Sequence, residues 1–365
     1  MTDAVALHRA DPSLPDPPAG AAGAVPRPAA ARHGERILIV SDAWQPSVNG
    51  VVRTLEALTV ELRALGHAVQ VIGPERFFSL PLPSYPEVRL ALPPPARLRA
   101  MIDGFAPTAI HIATEGPLGL AARRHCLARK LRFTTAFHTR FPEYLACRLP
   151  VPLTWSYAAL RRFHAPADAV MVATPRLERT LRGRGFTRLR HWTRGVDTEL
   201  FRPRDKSHLD GPRPISLYVG RVAVEKNLEA FLALDLPGCK YVVGDGPQLR
   251  WLQRRHPAVR FLGYKQGEEL ARCYAAADVF VFPSRTDTFG LVLLEALACG
   301  VPVAAYAVPG PLDVIGRSMV GCLDDDLGRA VQAALAVPAA ACRAYALGFT
   351  WRNSARQFAA IAAAA

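Results

Sequence analysis

One stretch, residues 278–305, constrains the fold of this chain more than any other. It opens with the run Asp-Val-Phe-Val-Phe at 278–282, which is apolar, partly β-branched and typical of a buried parallel strand. Apolar residues then follow a helical spacing between Gly290 and Gly300, and the closing glycine predicts a helix C-terminus. A second apolar run at 301–305 predicts another strand. We therefore expect an α/β unit with a polar loop at the carboxyl end of a strand, where open parallel sheets bind ligands.

Two acidic residues lie eight positions apart in this unit, Asp287 in the loop and Glu295 inside the helix. A carboxylate accepts hydrogen bonds from both hydroxyls of a vicinal diol, so either acid suits a ribose or a hexose. The amides of Phe289, Gly290 and Leu291 lie at the helix N-terminus, where they can hold an anion such as a diphosphate. The alternative is that Asp287 only caps the helix and that Glu295 is solvated.

Two similar units lie in the first half of the chain. Residues 36–40 predict a strand and residues 51–65 an amphipathic helix, and Gly50 between them lets the backbone approach a ligand closely. Residues 133–137 predict another strand, and His138 leaves its carboxyl end. A lone histidine at a strand end is more often structural, but a position in a predicted cleft makes His138 a candidate substrate contact.

The second half of the chain adds basic residues at strand ends. Arg221 and Lys226 follow a predicted strand at 215–219. Only five of the 45 basic residues are lysines, so a lysine at 226 suggests that a compact ammonium is needed there. Asp245 lies in a Gly-Asp-Gly-Pro turn after the next strand, and Lys265 follows a third. A solvated loop is the alternative interpretation of the two basic residues.

Taken together, these motifs resemble the retaining glycosyltransferases of family 4. The family signature is Glu-x-Phe-Gly-x4-Glu, and this chain has Asp287, one methylene shorter, at the first acid and Glu295 at the second. The resemblance covers roughly residues 36–316 and is closest to GDP-mannose-dependent α-mannosyltransferases and glycosyl-diacylglycerol synthases. It implies the GT-B fold, in which two Rossmann-like parallel-sheet domains face each other across a cleft and a C-terminal helix crosses back.

The resemblance also implies roles for individual residues. Arg221 and Lys226 would grip the donor diphosphate, and the sugar would be oriented by His138 and Asp287, which gives the catalytic set His138, Arg221, Lys226 and Asp287. The implied donor-binding set is Gly50, Asp245, Lys265, Phe289, Gly290, Leu291 and Glu295. Candidate acceptor contacts are Glu143 and Tyr144. No metal or cofactor is expected, because the basic pair and the helix amides would stabilise the leaving nucleoside diphosphate.

We expect the following organisation from composition and resemblance. Residues 1–34 are rich in Pro, Ala and Gly and predict a disordered extension. An N-terminal acceptor-side domain is expected at 35–201, a nucleotide-sugar-binding domain at 214–340, and a helix that packs back on the first domain at 341–365. The Pro- and aromatic-rich residues 74–95 predict a long irregular loop.

Positive charge is concentrated in the first half of the chain. The net charge is +14, and residues 97–194 hold 18 Lys and Arg against 5 Asp and Glu, a net of 18 − 5 = +13. Trp155 and Tyr157 are interleaved with Arg161 and Arg162 in a predicted helix, a pattern that suits an anionic membrane surface or a polyanion. A core helix with a solvated basic face is the alternative.

Other features bear on location and metal use. No run approaches 18 apolar residues, so no transmembrane helix is expected. Seven scattered cysteines without a Cys-x-x-Cys pair predict reduced thiols. We therefore expect a cytoplasmic protein, peripheral on the inner face of the membrane. Residues 324–326 contain Asp-x-Asp, a metal motif elsewhere, but a position before a helix predicts N-terminal capping.

Three functions are compatible with these patterns. The first is a metal-independent retaining transferase that moves a hexose from a nucleotide sugar, GDP-mannose or a UDP-hexose, to a membrane lipid or glycan. A second is a sugar-nucleotide epimerase on the same fold, which would need further acid and base groups in the cleft. A third is a nucleic-acid-binding protein, suggested by the basic segment alone. The first hypothesis expects a nucleotide sugar, an acceptor and a membrane surface as partners, and no nucleic acid.

Overall fold

The computed structural model of the chain describes residues 34–47, 49–82, 85–139, 141–146, 151–316 and 318–364, without the side chains of 82, 85–88 and 144–146. All but the last residue of the expected extension at 1–34 therefore lies outside the described residues. Within them, two parallel sheets of six strands each form two α/β halves.

The first half contains a parallel sheet, a hairpin and the helices that cover them. Its strands are β1 Arg36–Val40, β2 Ala68–Ile72, β3 Ser79–Leu82, β4 Tyr85–Ala91, β5 Ala109–Ile112, β6 Thr134–Phe137, β7 Ala169–Val172 and β8 Leu189–His191. Its helices are α1 Gly50–Ala64, α2 Pro95–Phe105, α3 Pro117–Arg129, α4 Phe141–Ala146, α5 Leu153–His164 and α6 Pro175–Gly183.

The second half repeats the alternation of strand and helix. Its strands are β9 Ile215–Val219, β10 Cys239–Val243, β11 Arg260–Phe261, β12 Val279–Phe282, β13 Val303–Ala305 and β14 Gly321–Leu323. Its helices are α7 Leu228–Leu232, α8 Leu249–Arg255, α9 Gly267–Ala276, α10 Leu291–Ala298, α11 Pro309–Val314, α12 Leu327–Ala334, α13 Ala339–Ala346 and α14 Trp351–Ala364.

Strand order determines where each sheet can hold a ligand. The first sheet runs β2-β1-β5-β6-β7-β8 and the second β11-β10-β9-β12-β13-β14, all parallel. In each sheet, successive strands are added first on one side of the starting strand and then on the other. The order therefore reverses between β1 and β5 in the first sheet and between β9 and β12 in the second. At such a switch point the two neighbouring loops diverge and leave a crevice at the carboxyl ends of the strands. Both sheets therefore offer a ligand site at the edge that the sequence predicted.

At the first switch point, a buried carboxylate fixes the start of a helix. Asp42, after β1, accepts hydrogen bonds from the amides of Leu118 and Gly119, at 2.8 and 3.1 Å, in the first turn of α3. Thr114 donates to the same carboxylate at 2.9 Å. A Cβ on Gly116 would lie 2.4 Å from the Asp42 carboxyl carbon, so the close approach requires glycine. Asp42 is thus a helix cap, and it ties the two loops of this switch point together.

The C-terminal helix crosses back to the first half, as the fold class requires. Phe358 of α14 is fully buried in one cluster with Leu55 and Leu58 of α1. The indole Nε1 of Trp192 donates to Ser354 Oγ at 2.9 Å. Each fully buried large apolar side chain contributes about 1.5–3 kcal/mol to folding, so α14 is part of the core of the first half.

One expectation about the fold was wrong. Residues 74–95 are not an irregular loop, because β3 and β4 pair as an antiparallel hairpin within this segment. The prolines that argued against strands are tolerated, because the two strands pair only with each other and leave edge positions that need no donor. Pro81 is one such residue inside β3. The six described cysteines are free thiols, as expected, and Cys147 lies outside the described residues.

Candidate active site

The switch point of the second sheet brings Lys226 and Asp287 together. Lys226 ends a short 3-10 turn after β9, and Asp287 lies in the loop after β12. The ammonium Nζ donates to Asp287 Oδ1 at 2.5 Å. The other carboxylate oxygen, Oδ2, is buried and has no hydrogen-bond partner among the described residues. A buried acceptor without a donor costs free energy, so this oxygen is a candidate contact for a bound hydroxyl.

Local backbone geometry explains how the loop after β9 reaches this position. Asn227 adopts a left-handed conformation, with φ 55°, and its Nδ2 donates to Pro283 O at 3.1 Å, which joins the loops after β9 and β12. The Tyr218 hydroxyl donates to Arg221 O at 2.9 Å. Arg221 is half-buried in the same loop as Lys226, so the structure brings the two expected diphosphate ligands to one loop.

The turn that contains Asp245 packs against this loop. A Cβ on Gly246 would lie 2.4 Å from Val222 O, so only glycine permits the approach of the two backbones. Asp245 O accepts from the Val222 amide at 2.9 Å, and its carboxylate accepts from the Gly246 amide at 2.6 Å. Asp245 is exposed, and its visible role is to hold this turn.

The helix after the acidic loop begins as the sequence predicted. Gly290 has φ 85°, in the left-handed region that favours glycine, and α10 begins at Leu291. Phe289 is buried and anchors the loop to the core. No side chain caps the N-terminus of α10 among the described residues, so Asp287 is not the N-cap that the alternative interpretation required. The amides of this first turn can accept an anionic ligand.

Glu295 is a buried residue that links the two halves of the chain. It is 7% exposed, so the interpretation as a solvated residue is wrong. Its Oε1 accepts from Arg53 Nη1 of α1 at 3.1 Å, and its Oε2 accepts from the Tyr274 hydroxyl at 2.8 Å. Burial raises the pKa of the Glu295 carboxyl, and the Arg53 guanidinium opposes that rise. The N-terminal turns of α1 and α10 therefore face each other across the cleft.

Sequence reasoning missed Arg53. A signal was available, because Arg53 lies in the first turn of α1, where the positive end of the helix dipole disfavours a cation.

Gly50 is the first residue of the same helix, and a Cβ built there meets no atom within 4 Å. The protein itself therefore does not require glycine at position 50. The side chain of Lys265 is paired with Glu269 one turn along α9.

In the first half, His138 follows β6 and lies beside a buried cation. Arg194 Nη2 lies 3.3 Å from His138 Nδ1, and the other ring nitrogen, Nε2, is buried without a partner among the described residues. The ring makes an edge contact with Trp192 at 5.8 Å between centroids. Burial, and then the Arg194 charge, hold the pKa of His138 well below its usual range. His138 is therefore a neutral hydrogen-bonding group.

The expected acceptor contacts are described only in part. Glu143 of α4 accepts from the Tyr157 hydroxyl at 2.7 Å, and its Oε2 is buried without a partner among the described residues. Tyr144 lies in the same helix, but its side chain is outside the described part. Tyr157 is 3% exposed, so the expectation of two interfacial aromatics on α5 is wrong for this residue. Trp155 is 72% exposed and stays a candidate.

The Asp-x-Asp segment at 324–326, a metal motif elsewhere, was expected to cap a helix. Asp326 accepts from the amides of Gly328 and Arg329 at 2.9 and 3.2 Å and caps α12, as predicted. In the described part of the chain, no group of three or more His, Cys, Asp or Glu side chains is arranged to hold a metal ion.

Comparison with known proteins identifies the family. Residues 48–200 match the family model described as Glycosyltransferase Family 4, and residues 213–337 match Glycosyl transferases group 1. A GDP-mannose-dependent alpha-mannosyltransferase from Mycobacterium tuberculosis is 32% identical over 320 residues, which cover 80% of this chain and 84% of the relative. The chain is a family 4 glycosyltransferase.

Further relatives agree with this glycosyltransferase assignment. An alpha-monoglucosyldiacylglycerol synthase from Streptococcus pneumoniae is 25% identical over 344 residues, 82% of this chain and 78% of the relative. The sucrose-phosphate synthase of Thermosynechococcus elongatus superposes with a TM-score of 0.70 at 23% identity, over 90% of this chain and 97% of that chain. This structural likeness shows the fold, and the expected GT-B class is confirmed. The family favours the first of the three functions over the epimerase and the nucleic-acid-binding protein.

The glycosyltransferase has a cleft whose two walls come from different sheets. On the second-sheet side, Lys226, Asp287 and the first turn of α10 lie after the carboxyl ends of strands, and on the first-sheet side His138 follows β6. Arg53 and Glu295 join the walls. Within the described residues, no helix has the length and apolar character needed to span a bilayer.

Proposed function

We propose that this glycosyltransferase moves a hexose from a nucleoside diphosphate sugar, GDP-mannose or a UDP-hexose, to a hydroxyl of a membrane lipid or glycan. The transfer retains the anomeric configuration and needs no metal. The Lys226–Asp287 pair at the second switch point carries this proposal, because it combines a cation for a phosphate with a carboxylate whose Oδ2 lacks a partner. In the donor, the bond that breaks joins the diphosphate to the sugar, so the ammonium of Lys226 suits the diphosphate and the carboxylate of Asp287 suits the sugar.

The donor is held mainly by the second half of the chain. Lys226, Arg221 and the first-turn amides of α10 bind the diphosphate, whose negative charge grows as the bond to the sugar breaks. Glu295 accepts hydrogen bonds from the ribose diol, and Asp287 Oδ2 accepts one from a sugar hydroxyl. Because the charge is stabilised by side chains and amides, the reaction proceeds without a metal ion.

The acceptor approaches from the first half of the chain. A groove of about 420 Å³ lies there between the segment after β4 and α3 and is mostly apolar, with lining residues that include Leu92, Pro94, Leu120 and Arg124. An apolar groove with a cation at its rim suits a lipid that has a polar or anionic head group. The diacylglycerol product in the name of the streptococcal relative supports a lipid acceptor.

Retention follows from attack on the same face of the sugar from which the diphosphate leaves. The acceptor oxygen bonds to the anomeric carbon, the bond from that carbon to the diphosphate breaks with its electron pair on the diphosphate, and a phosphate oxygen takes the acceptor proton. This scheme is supported by the resemblance to retaining enzymes of the family, and it requires no covalent bond to the protein.

Nucleotide release provides the test. Purified enzyme is mixed with GDP-mannose, UDP-glucose or UDP-glucuronate in EDTA, with and without vesicles that contain diacylglycerol, phosphatidylglycerol or phosphatidylinositol. We expect acceptor-dependent release of nucleoside diphosphate with one donor and a glycolipid whose anomeric configuration matches that donor. An inverted product would contradict retention, activity only after metal addition would contradict the metal-free scheme, and release with soluble glycans alone would contradict a lipid acceptor.

A further inference from the structure

Arg194 is a buried cation at the edge of the proposed site, and the mechanism above does not use it. It is 4% exposed, and no carboxylate of the described part of the chain acts on its charge. Its Nη1 donates to Trp192 O at 2.8 Å, and its guanidinium lies over the Trp192 ring at 4.1 Å. Burial lowers the pKa of Arg194 to about 9, still above neutral pH. A buried charge without a counter-ion is costly to keep, so its contacts need an explanation.

The position of this guanidinium is fixed from the other end of the chain. A Cβ on Gly195 would lie 2.3 Å from the Trp351 amide nitrogen, so α14 packs directly on this backbone. The Val196 amide donates to Phe349 O at 2.9 Å, and Trp192 is bonded to Ser354. Because these contacts hold the residues on both sides of Arg194, its side chain has a fixed direction.

The fixed side chain ends at His138. Arg194 Nη2 lies 3.3 Å from His138 Nδ1, and a guanidinium can only donate. His138 Nδ1 must therefore accept, and in a neutral imidazole the proton is then on Nε2. That nitrogen is buried and has no partner among the described residues, so its N–H is an unsatisfied donor that needs an acceptor.

The surroundings keep the ring neutral. The charged and titratable groups that act on His138 are Arg194 after β8, His111 on β5 and His164 on α5, and each of them disfavours a positive charge on the ring. His111 is bonded to Thr134 Oγ1 at 2.9 Å and is itself buried. A second proton on His138 would also place Nδ1–H against the N–H of Arg194.

We infer that Arg194 is a positioning residue that holds His138 as the neutral Nε2–H tautomer, so that His138 donates a hydrogen bond to a substrate oxygen and cannot accept the acceptor's proton. This inference rests on the proposed function, because it takes the ligand to be a glycosyl donor or acceptor. It assigns His138 a role as a hydrogen-bond donor to a sugar hydroxyl or ether oxygen. The acceptor proton must then go to the leaving diphosphate, whose oxygen receives it as the bond to the sugar breaks.

The direct test is the protonation state of His138 in the wild-type enzyme. With the 10 histidines labelled with ¹⁵N, two-bond ¹H–¹⁵N spectra separate the two tautomers, and the His138→Asn variant identifies the signal. We expect protonated Nε2 and unprotonated Nδ1 at every pH between 5.5 and 8.5. A proton on Nδ1, or a titration of His138 within this range, overturns the inference.

Variants test the contribution of Arg194. We expect Arg194→Met to give a mixture of His138 tautomers, a higher His138 pKa than in the wild type, and kcat/KM lower by about tenfold, the value of one hydrogen bond. Arg194→Lys, which keeps a donor, restores part of the Nε2–H signal and of the rate. A wild-type tautomer in Arg194→Met would contradict the positioning role. If that variant does not fold, the wild-type spectrum decides.

A matched control is Arg123→Met. Arg123 also donates to two backbone carbonyls, of Phe163 and Arg162 at 2.8 and 2.9 Å, and lies over an aromatic ring, but it touches no histidine. We expect it to leave the His138 spectrum unchanged. The two proposals can be distinguished: an Nδ1–H tautomer with normal nucleotide release would end the inference alone. No release with any donor, together with an Nε2–H tautomer, would end the proposed function and the substrate role of His138 but not the tautomer assignment.

Discussion

The two sheets of this glycosyltransferase present different chemistry at equivalent edges. At the edge of the second sheet, Lys226 and Asp287 form an ion pair at the switch point, with side chains 19% and 17% exposed. At the edge of the first sheet, His138 is kept neutral by burial and by Arg194. A leaving diphosphate gains charge, and a sugar or acceptor hydroxyl does not. Under the proposed function, the charged wall therefore faces the leaving group and the neutral wall recognises hydroxyls.

The halves also differ in how much of their edge is already internally bonded. In the second half, Asp287 Oδ2 and the first-turn amides of α10 are not bonded to side chains of the described residues. In the first half, Asp42 is fully engaged as a cap of α3. At the first switch point, the polar side chain is thus hydrogen-bonded within the protein. At the second switch point, polar groups are left that a ligand could bond. This difference predicts that substitutions at the second switch point affect turnover more than substitutions on the first.

The largest expected effect comes from Lys226→Ala. Loss of a fixed donor to the developing diphosphate charge should raise the barrier to transfer by about 2–4 kcal/mol, which lowers kcat by about 30- to 10³-fold. Steady-state nucleotide release measures this. The matched control is Lys206→Ala, because Lys206 also forms a lysine–aspartate pair, with Asp278 at 2.7 Å, at a different place in the second half. A normal kcat for Lys226→Ala would mean that the charged wall does not stabilise the leaving diphosphate.

The next effect concerns donor affinity. Glu295→Gln should weaken nucleotide-sugar binding by about 1.5–3 kcal/mol, the range for hydrogen bonds to a charged group, without unfolding the protein. Calorimetric titration measures the affinity. Glu229→Gln is the control, because Glu229 is likewise hydrogen-bonded to an arginine and to a ring side chain, Arg255 at 2.7 Å and His256 at 3.0 Å. Equal affinities for wild type and Glu295→Gln would mean that Glu295 only joins the two halves.

The third effect is acid sensitivity of the first half. Burial lowers the pKa of His111 to about 3 in the folded chain, against 6.5 when exposed. Below pH 6.5 the unfolded state binds a proton at His111 that the folded state does not bind. The free energy of unfolding therefore falls as pH falls, by about 1.4 kcal/mol per pH unit. From pH 6.5 to 5 this amounts to about 2 kcal/mol.

Urea unfolding at pH 7 and pH 5 separates this contribution from the rest. His111→Asn should lose less stability than wild type over this interval, because it has no group to protonate. His208→Asn, which changes an exposed histidine in the second half, should behave as wild type. If His111→Asn and wild type lose equal stability, the buried neutral histidine is not a source of acid sensitivity.

Local sequence patterns predicted the elements and the strand-end residues, but not the contacts between distant parts. The strand now seen at Val279–Phe282 and the helix at Leu291–Ala298 were predicted within two residues, because an apolar run and two glycines mark them. The β3–β4 hairpin was missed, because its prolines pointed to a loop. Arg53 was missed as a partner of Glu295, because only the packed molecule shows which helix faces α10.

The smallest expected effect lies on the surface of the first half, where the residues 97–194 have a net charge of +13. Trp155 is 72% exposed on α5, and Arg162 is exposed on the same helix. We expect Arg162→Gln to weaken binding to phosphatidylglycerol vesicles by about 1 kcal/mol, and Trp155→Ser to remove interfacial burial. Trp251→Ser and Arg254→Gln on α8 are the matched controls, an exposed tryptophan and arginine of the second half.

Vesicle co-sedimentation tests which half faces the membrane. Binding should require anionic lipid and should decrease with salt, because the Debye length falls from about 10 Å at 0.1 M to about 3 Å at 1 M. Substitutions on α5 should reduce pelleting, while those on α8 should not, since the first half holds most of the basic excess. Equal losses from both helices would mean that net charge alone attracts the protein. Equal pelleting with phosphatidylcholine would mean that the basic segment has no role in docking, and the neutral wall would then face a soluble acceptor.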